Sequence, residues 1–192
     1  MARNNLSSGQ VRIISGQWRS RKLPIQDLEG LRPTTDRVRE TLFNWLASDI
    51  RGSRVLDCFA GSGALSLEAL SRYASFAQMF ELQKNAANQL TKNLATLNCS
   101  TAKVVQGDSL KLLAKGTVQG FDVVFIDPPF RKGLAPKTIE LLMQHAWLND
   151  NALIYLETES EIADLVIPTS WHPLKEKVAG QLTYRLYQYC GQ

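Results

Sequence analysis

The chain has 192 residues, 44% of them hydrophobic, which suits one domain of ordinary size with a real core and excludes a disordered chain. No apolar run approaches the roughly 20 residues a membrane helix needs, the polar stretch Met1 to Gln10 lacks the apolar core of a secretory signal, and three cysteines without CxxC spacing, Cys58, Cys99 and Cys190, point away from a disulfide framework or a zinc site, so a cytoplasmic, metal-free protein with no membrane partner is expected. Nine basic and five acidic side chains fall within residues 1–51, which accounts for the whole net charge of +4, so the positive surface is local and suited to a polyphosphate.

In chain order, VRIISGQWRSRKLPI over residues 11–25 predicts a hairpin: Val11–Ile14, a turn at Ser15-Gly16, and a second strand to Ile25. Its basic residues Arg12, Arg19, Arg21 and Lys22 are candidate phosphate contacts. They flank Trp18, which is either a stacking platform for a base or packed on the domain. After a loop with Gly30 and Pro33, Thr34 and Thr35 are candidate N-caps of a helix running to about Ser48, with Val38, Leu42, Trp45 and Leu46 on its apolar face. From Arg54 the pattern alternates. RVLDCF reads as a strand, Leu65–Tyr73 as a helix, SFAQMFEL as a strand, Lys84–Leu97 as a helix, AKVVQGD as a strand, and Leu110–Ala114 as a short helix. FDVVFID is a strand, Ile139–Trp147 a helix and ALIYLE a strand, and the tail LKEKVAGQLTYRLYQY reads as an antiparallel hairpin around Ala179-Gly180. The predicted class is α/β: a mostly parallel sheet with helices on both faces, whose ligands sit above the carboxyl ends of the central strands. Residues 1–51 are expected as a basic extension packed on a catalytic domain over 52–192.

The residues just after each strand are therefore the informative ones. Asp57-Cys58-Phe59-Ala60-Gly61-Ser62-Gly63 follows the first strand of the alternating region. Its glycines allow a tight turn and close approach of a ligand to the backbone and to the next helix. Ser66 stands where a dinucleotide fingerprint has its third glycine, which weighs against that class. Glu81, 18 residues past Gly63, is placed to accept hydrogen bonds from ribose hydroxyls or is a solvated acid at a strand end. Together they suggest an adenosine-containing cofactor without saying which. After the third strand, Asp108 of Gly107-Asp108-Ser109 either accepts from an adenine amino group or caps the next helix. Asp127-Pro128-Pro129-Phe130 closes the fourth strand. Two prolines hold their carbonyls rigidly, Asp127 adds a carboxylate acceptor and Phe130 an aromatic face, a combination that suits an amino group on a planar base.

The Asp-Pro-Pro-Phe sequence resembles the Asp/Asn/Ser-Pro-Pro-aromatic motif of class I amino-methyltransferases. Across residues 11 to 189, VRIISGQWRSRKL, LRPTTDRVRETLFNWL, LDCFAGSGALSLEALSRYA, FIDPPFRKGL and KVAGQLTYRLYQ resemble the bacterial 16S rRNA (guanine(966)-N(2))-methyltransferase family, RsmD. The resemblance implies a class I S-adenosylmethionine (SAM) methyltransferase fold, Rossmann-like, with a seven-stranded sheet ending in an antiparallel hairpin. It implies SAM binding by Asp57, Ala60, Gly61, Gly63, Glu81, Asp108 and Ser109, and catalysis by Asp127, Pro128, Pro129 and Phe130. The substrate implied is a guanine N2 amine of 16S rRNA in the assembling small subunit; from the local charge, Arg12, Arg19, Arg21 and Lys22 are expected on the RNA, and a monomeric enzyme is expected. LRPTT is expected to shape the methionine end of the cofactor site. The alternatives are a DNA adenine-N6 or cytosine-N4 methyltransferase, which usually carries a further DNA-reading domain, a nicotinamide-dependent oxidoreductase, in which Asp-Pro-Pro-Phe has no role, and a non-catalytic ribosome-assembly factor.

Overall fold

The computed structural model describes residues 9–26, 35–162 and 165–191. Nine strands and five helices occur among them. A small hairpin, β1 (Gln10–Arg12) and β2 (Lys22–Pro24), precedes helix α1 (Asp36–Trp45). The alternating region follows as β3 (Arg54–Asp57), α2 (Ala64–Ser71), β4 (Phe76–Glu81), α3 (Lys84–Thr96), β5 (Ala102–Gln106), α4 (Ser109–Leu113), β6 (Phe121–Ile126), α5 (Ala135–Gln144) and β7 (Leu148–Glu159). The chain closes with β8 (Trp171–Ala179) and β9 (Leu182–Tyr189). Strands β3 to β9 form one sheet in the order β5-β4-β3-β6-β7-β9-β8, parallel from β5 to β7, with β9 antiparallel to both β7 and β8.

Alternation along the central strands divides the core into two layers, because successive side chains point to opposite faces. Val55, Val123, Phe125 and Tyr155 enter the layer beneath α1, α2 and α3. Leu56, Val124, Ile126, Ile154 and Leu156 enter the opposite layer with residues of α4 and α5. Helix α1 starts on a Thr35 N-cap whose hydroxyl accepts from the Val38 amide. It buries Val38, Leu42 and Phe43, while the expected core residue Trp45 is half-buried and stacks on Tyr184 at 5.4 Å. Thr34 and the rest of the LRPTT stretch before Thr35 lie outside the described residues.

Several boundaries differ from expectation: α5 runs over Ala135–Gln144 rather than Ile139–Trp147, and α1 ends at Trp45 rather than near Ser48. The N-terminal strands are short and the chain makes no tight turn at Ser15-Gly16. Instead residues 13–21 form a connection that docks on the C-terminal end of α2. Gln17 N donates to Ser71 O at 2.8 Å, Trp18 N donates to Ser71 Oγ at 3.0 Å, and that hydroxyl donates to Ser15 O at 2.6 Å. Gly16 has φ +83° and a Cβ there would collide with the Ser71 backbone, so glycine serves a docking contact rather than a hairpin turn. Strand β7 is twice as long as the apolar run ALIYLE, because Leu148 pairs with Phe121 before a register shift and Thr158 and Glu159 pair with β9.

Candidate active site

Four neighbouring parallel strands end side by side, and each ends at a residue singled out by its sequence. β3 ends on Asp57, β4 on Glu81, β5 runs into Gly107-Asp108-Ser109, and β6 runs into Asp127. Because β3 and β6 pair with Asp57 opposite Phe125, the glycine loop and the Asp-Pro-Pro-Phe segment leave the sheet as neighbours.

Asp57 is 1% exposed. Its Oδ2 accepts from Ser66 Oγ at 2.7 Å, and its Oδ1 has no partner among the described residues. Burial raises its pKa to about 6, against the Ser66 hydroxyl and the Phe59 and Ser66 amides, which pull it down. The serine at the missing-glycine position thus serves this acid. Ala60 N donates to Phe80 O at 2.8 Å and Gly63 N to Ala60 O at 2.7 Å, closing the turn. Gly63 has φ +75°, and a Cβ there would strike Leu90.

Glu81 does more than present a carboxylate. Its Oε2 accepts from Gly61 N at 2.8 Å and its Oε1 from Gln83 N at 2.6 Å, so it braces the glycine loop against the end of β4. Burial raises its pKa, and the two amides hold it down. Asp108 takes the capping role, accepting from Lys111 N at 3.1 Å. Ser109 is buried and donates its hydroxyl to Cys58 O, tying α4 to the segment after β3. Asp127 and Pro128 are half-buried, while Pro129 and Phe130 are exposed. The Arg131 guanidinium lies 5.1 Å from the centre of the Phe130 ring, and its backbone N–H donates to Glu159 at the end of β7.

Of the basic residues expected to meet phosphate, Arg12 and Lys22 border the glycine loop, and Arg19 and Arg21 belong to the connection that docks on the C-terminal end of α2. Arg19, Arg21 and Lys22 are exposed. Arg12 is exposed but ion-paired with Asp36 at 2.7 Å, and that hydrogen bond is the main reason its pKa rises and that of Asp36 falls. Trp18 is packed against the core layer. A cavity of about 600 Å³ lies between this hairpin and the glycine loop, lined by Arg12, Lys22, Asp36, Arg39, Ser62 and Ala64 among others.

Two groups carry no signal in the sequence pattern. Arg39, 2% exposed, donates through Nη2 to Arg12 O at 2.9 Å and to Asp36, while its Nε and Nη1 have no partner among the described residues. Tyr155 and Glu157, on β7, form a buried pair in which Tyr155 Oη donates to Glu157 Oε2 at 2.6 Å. Among the described residues no cluster of three or more His, Cys, Asp or Glu is placed to hold a metal, and no helix is long and apolar enough to cross a membrane.

A family profile described as conserved hypothetical protein 95 matches residues 11–188. Ribosomal RNA small subunit methyltransferase D of Escherichia coli (strain K12) is 58% identical over 186 residues, 96% of this chain and 93% of the relative. A solved Escherichia coli structure, the candidate methyltransferase yhhF, superposes with a TM-score of 0.89 at 55% identity, over 96% of this chain and all of that one. At 17% identity, the candidate methyltransferase SMU.776, solved with S-adenosylhomocysteine, shares the fold with a TM-score of 0.68, over 87% of this chain and 53% of that one.

Proposed function

The chain belongs to the RsmD family, described as conserved hypothetical protein 95, and we propose that it is a SAM-dependent methyltransferase of small-subunit ribosomal RNA. By the family's naming its target is the N2 amine of guanine 966 of 16S rRNA, reached in the assembling small subunit of the cytoplasm. The carrying observation is the pairing of β3 with β6, which sets the Asp127-Pro128-Pro129-Phe130 ledge beside the Asp57–Gly63 loop.

The donor set suits SAM. Each Glu81 oxygen receives one amide, which leaves lone pairs for ribose hydroxyls. The unmatched Asp57 oxygen calls for a donor and the unmatched Arg39 nitrogens call for an acceptor, and an amino-acid end carries both. Asp57, Ala60, Gly61, Gly63, Glu81 and Ser109 would hold it, with Asp108 at the adenine side. When bound, SAM supplies a methyl group activated on a sulfonium.

The chain's own residues do the rest. The N2 amine of guanine is a weak nucleophile because its lone pair is delocalised into the ring. Asp127 and the Pro128 carbonyl accept its two N–H bonds, which favours a pyramidal nitrogen and offsets the positive charge it gains. The double proline fixes those acceptors, so much of the rate gain is alignment. Exposed Phe130 stacks on a base splayed out of its loop. The division into a basic extension over 1–51 and a catalytic domain over 52–192 belongs to the same reading, with Arg12, Arg19, Arg21 and Lys22 on the RNA backbone.

Labelled SAM offered to small subunits, naked 16S rRNA and DNA, followed by digestion to nucleosides, tests the assignment. Label in N2-methylguanosine from small subunits is expected, and label in DNA adenine or cytosine would overturn it. Asp127→Ala is expected to abolish turnover while SAM binding, read by calorimetry, persists. Near-normal turnover would remove Asp127 from the mechanism.

A further inference from the structure

Methylating an amine leaves a proton to dispose of, and the residues behind Asp127 bear on where it goes. Strands β6 and β7 pair in parallel with Ile126 opposite Leu156, so Asp127, the first residue past β6, runs alongside Glu157, which stays in β7 and pairs with β9, at about 4.8 Å by strand spacing. Phe125 and Tyr155, one pleat earlier, are in edge contact at 6.3 Å on the α1 face, and the alternation carries Asp127 and Glu157 to that same face. Glu157 is 6% exposed, and one of its oxygens is held by the Tyr155 hydroxyl at 2.6 Å. A buried carboxylate beside a half-buried one is a costly arrangement that a core does not need, since an apolar pair would fill the space.

We propose that Glu157, braced by Tyr155, is a positioning and proton-holding residue that takes up, through Asp127, the proton the amine sheds after methylation. This rests on the methyltransferase reading above. The balance is simple. The N–CH3 bond forms as the S–CH3 bond breaks, the sulfonium ends as a neutral thioether, and the nitrogen carries the positive charge. One N–H bond then breaks, the nitrogen keeps the electron pair, and the proton passes to Asp127 and on to the Glu157 carboxylate, which becomes neutral.

The surroundings agree with that role. Burial raises the pKa of Glu157 and the Tyr155 hydrogen bond opposes the rise. Tyr155 itself is pushed well above its ordinary value by burial first and then by the charges of Glu157 and Asp127, which places Tyr155 within electrostatic reach of both carboxylates. Tyr184 faces Glu157 from β9. Of the other charged groups near this end of the sheet, Arg185 pairs with Glu176, and Glu159 takes the Arg131 amide.

The test compares wild type, Glu157→Gln and Tyr155→Phe in single-turnover methylation of small subunits across pH, with SAM affinity read separately by calorimetry. Wild type should show an acid limb above the ordinary glutamate range. Glu157→Gln should lose that limb and slow the plateau about 100-fold. Tyr155→Phe removes a hydrogen bond to the charged form and should move the limb to higher pH, an opposite shift that a packing role does not produce. An active wild type whose limb and plateau survive Glu157→Gln overturns the proposal. Carboxyl carbon NMR of the cofactor-free protein decides independently of turnover, including where Glu157→Gln fails to fold. The Glu157 midpoint should rise in Tyr155→Phe and fall in Asp127→Asn, and an unmoved midpoint in both sinks the idea. If wild type methylates nothing while those midpoints move, the methyltransferase reading fails and the coupled carboxylates stand.

Discussion

Asp57 shows how one residue can hold a site at the expense of the fold. A carboxylate with a folded pKa of about 6 and an ordinary value of 3.8 binds protons more tightly in the native state. Such a group favours folding below its unfolded pKa, and that contribution disappears as pH rises through 4 to 6. The gap corresponds to about 3 kcal/mol. Asp57→Asn keeps an oxygen for Ser66 Oγ and has no charge to bury. Its stability relative to wild type, from urea unfolding, should therefore improve between pH 4.5 and 7.5, and a flat difference would place the Asp57 pKa near its ordinary value. The residue and its place after a strand were legible because a carboxylate before a glycine turn is a local pattern. Its unmatched oxygen was not, since burial is decided by β4, β6 and α2 together. Arg39 escaped for the same reason. On an isolated α1 it reads as one more solvated base, and only the docked hairpin buries it beside Arg12 and Asp36.

The elements are joined by a few buried polar links rather than by apolar contact alone. Glu68, on α2 and fully buried, accepts from Ile14 N at 2.7 Å and Ser15 N at 3.0 Å, and pairs with Arg72 Nε at 2.7 Å. It anchors the connection between β1 and β2 to the helix that starts at the glycine loop, so the N-terminal hairpin is held in register with the candidate active site. Removing one partner of a buried ion pair costs about 3 kcal/mol or more. Glu68→Ala should lower stability by that amount and speed hydrogen exchange at Ile14 and Ser15 ahead of the amides of β3 and β6. Uniform acceleration across the sheet would deny Glu68 this local role. The alternation of short apolar runs with helical stretches located every strand and helix from Arg54 onward, although strands such as β6 are buried on both faces and show no period of their own. Sequence pattern misread Ser15-Gly16 as a hairpin turn, because a glycine needed for close approach to Ser71 is indistinguishable in sequence from one needed for a turn.

At the scale of the molecule, the sheet order brings together residues far apart in the chain. The pairing of β6 with β7 that aligns Asp127 with Glu157 is not written in either segment, which is why the second carboxylate stayed hidden while Asp127 did not. Charge is distributed on the same scale. Residues 1–51 carry the entire net charge of +4, and among their exposed bases Lys22 borders the cavity beside the glycine loop while Arg19 and Arg21 lie on the connection between the two strands of the same hairpin. A nucleic-acid strand crossing that hairpin would bring its phosphates to these side chains and release condensed counterions, so binding should weaken steeply with salt. Each phosphate contact contributes about 0.7 to the slope of log affinity against log salt for a single strand. Neutralising Arg19, Arg21 and Lys22 together should therefore weaken binding to 16S rRNA at low salt and reduce that slope by about 2. Arg12 is already paired with Asp36, so its neutralisation should change the slope less than that of any of the three. Fluorescence anisotropy with a labelled RNA fragment over a range of salt concentrations reads both quantities, and a triple variant with the wild-type slope would move the RNA path off the hairpin.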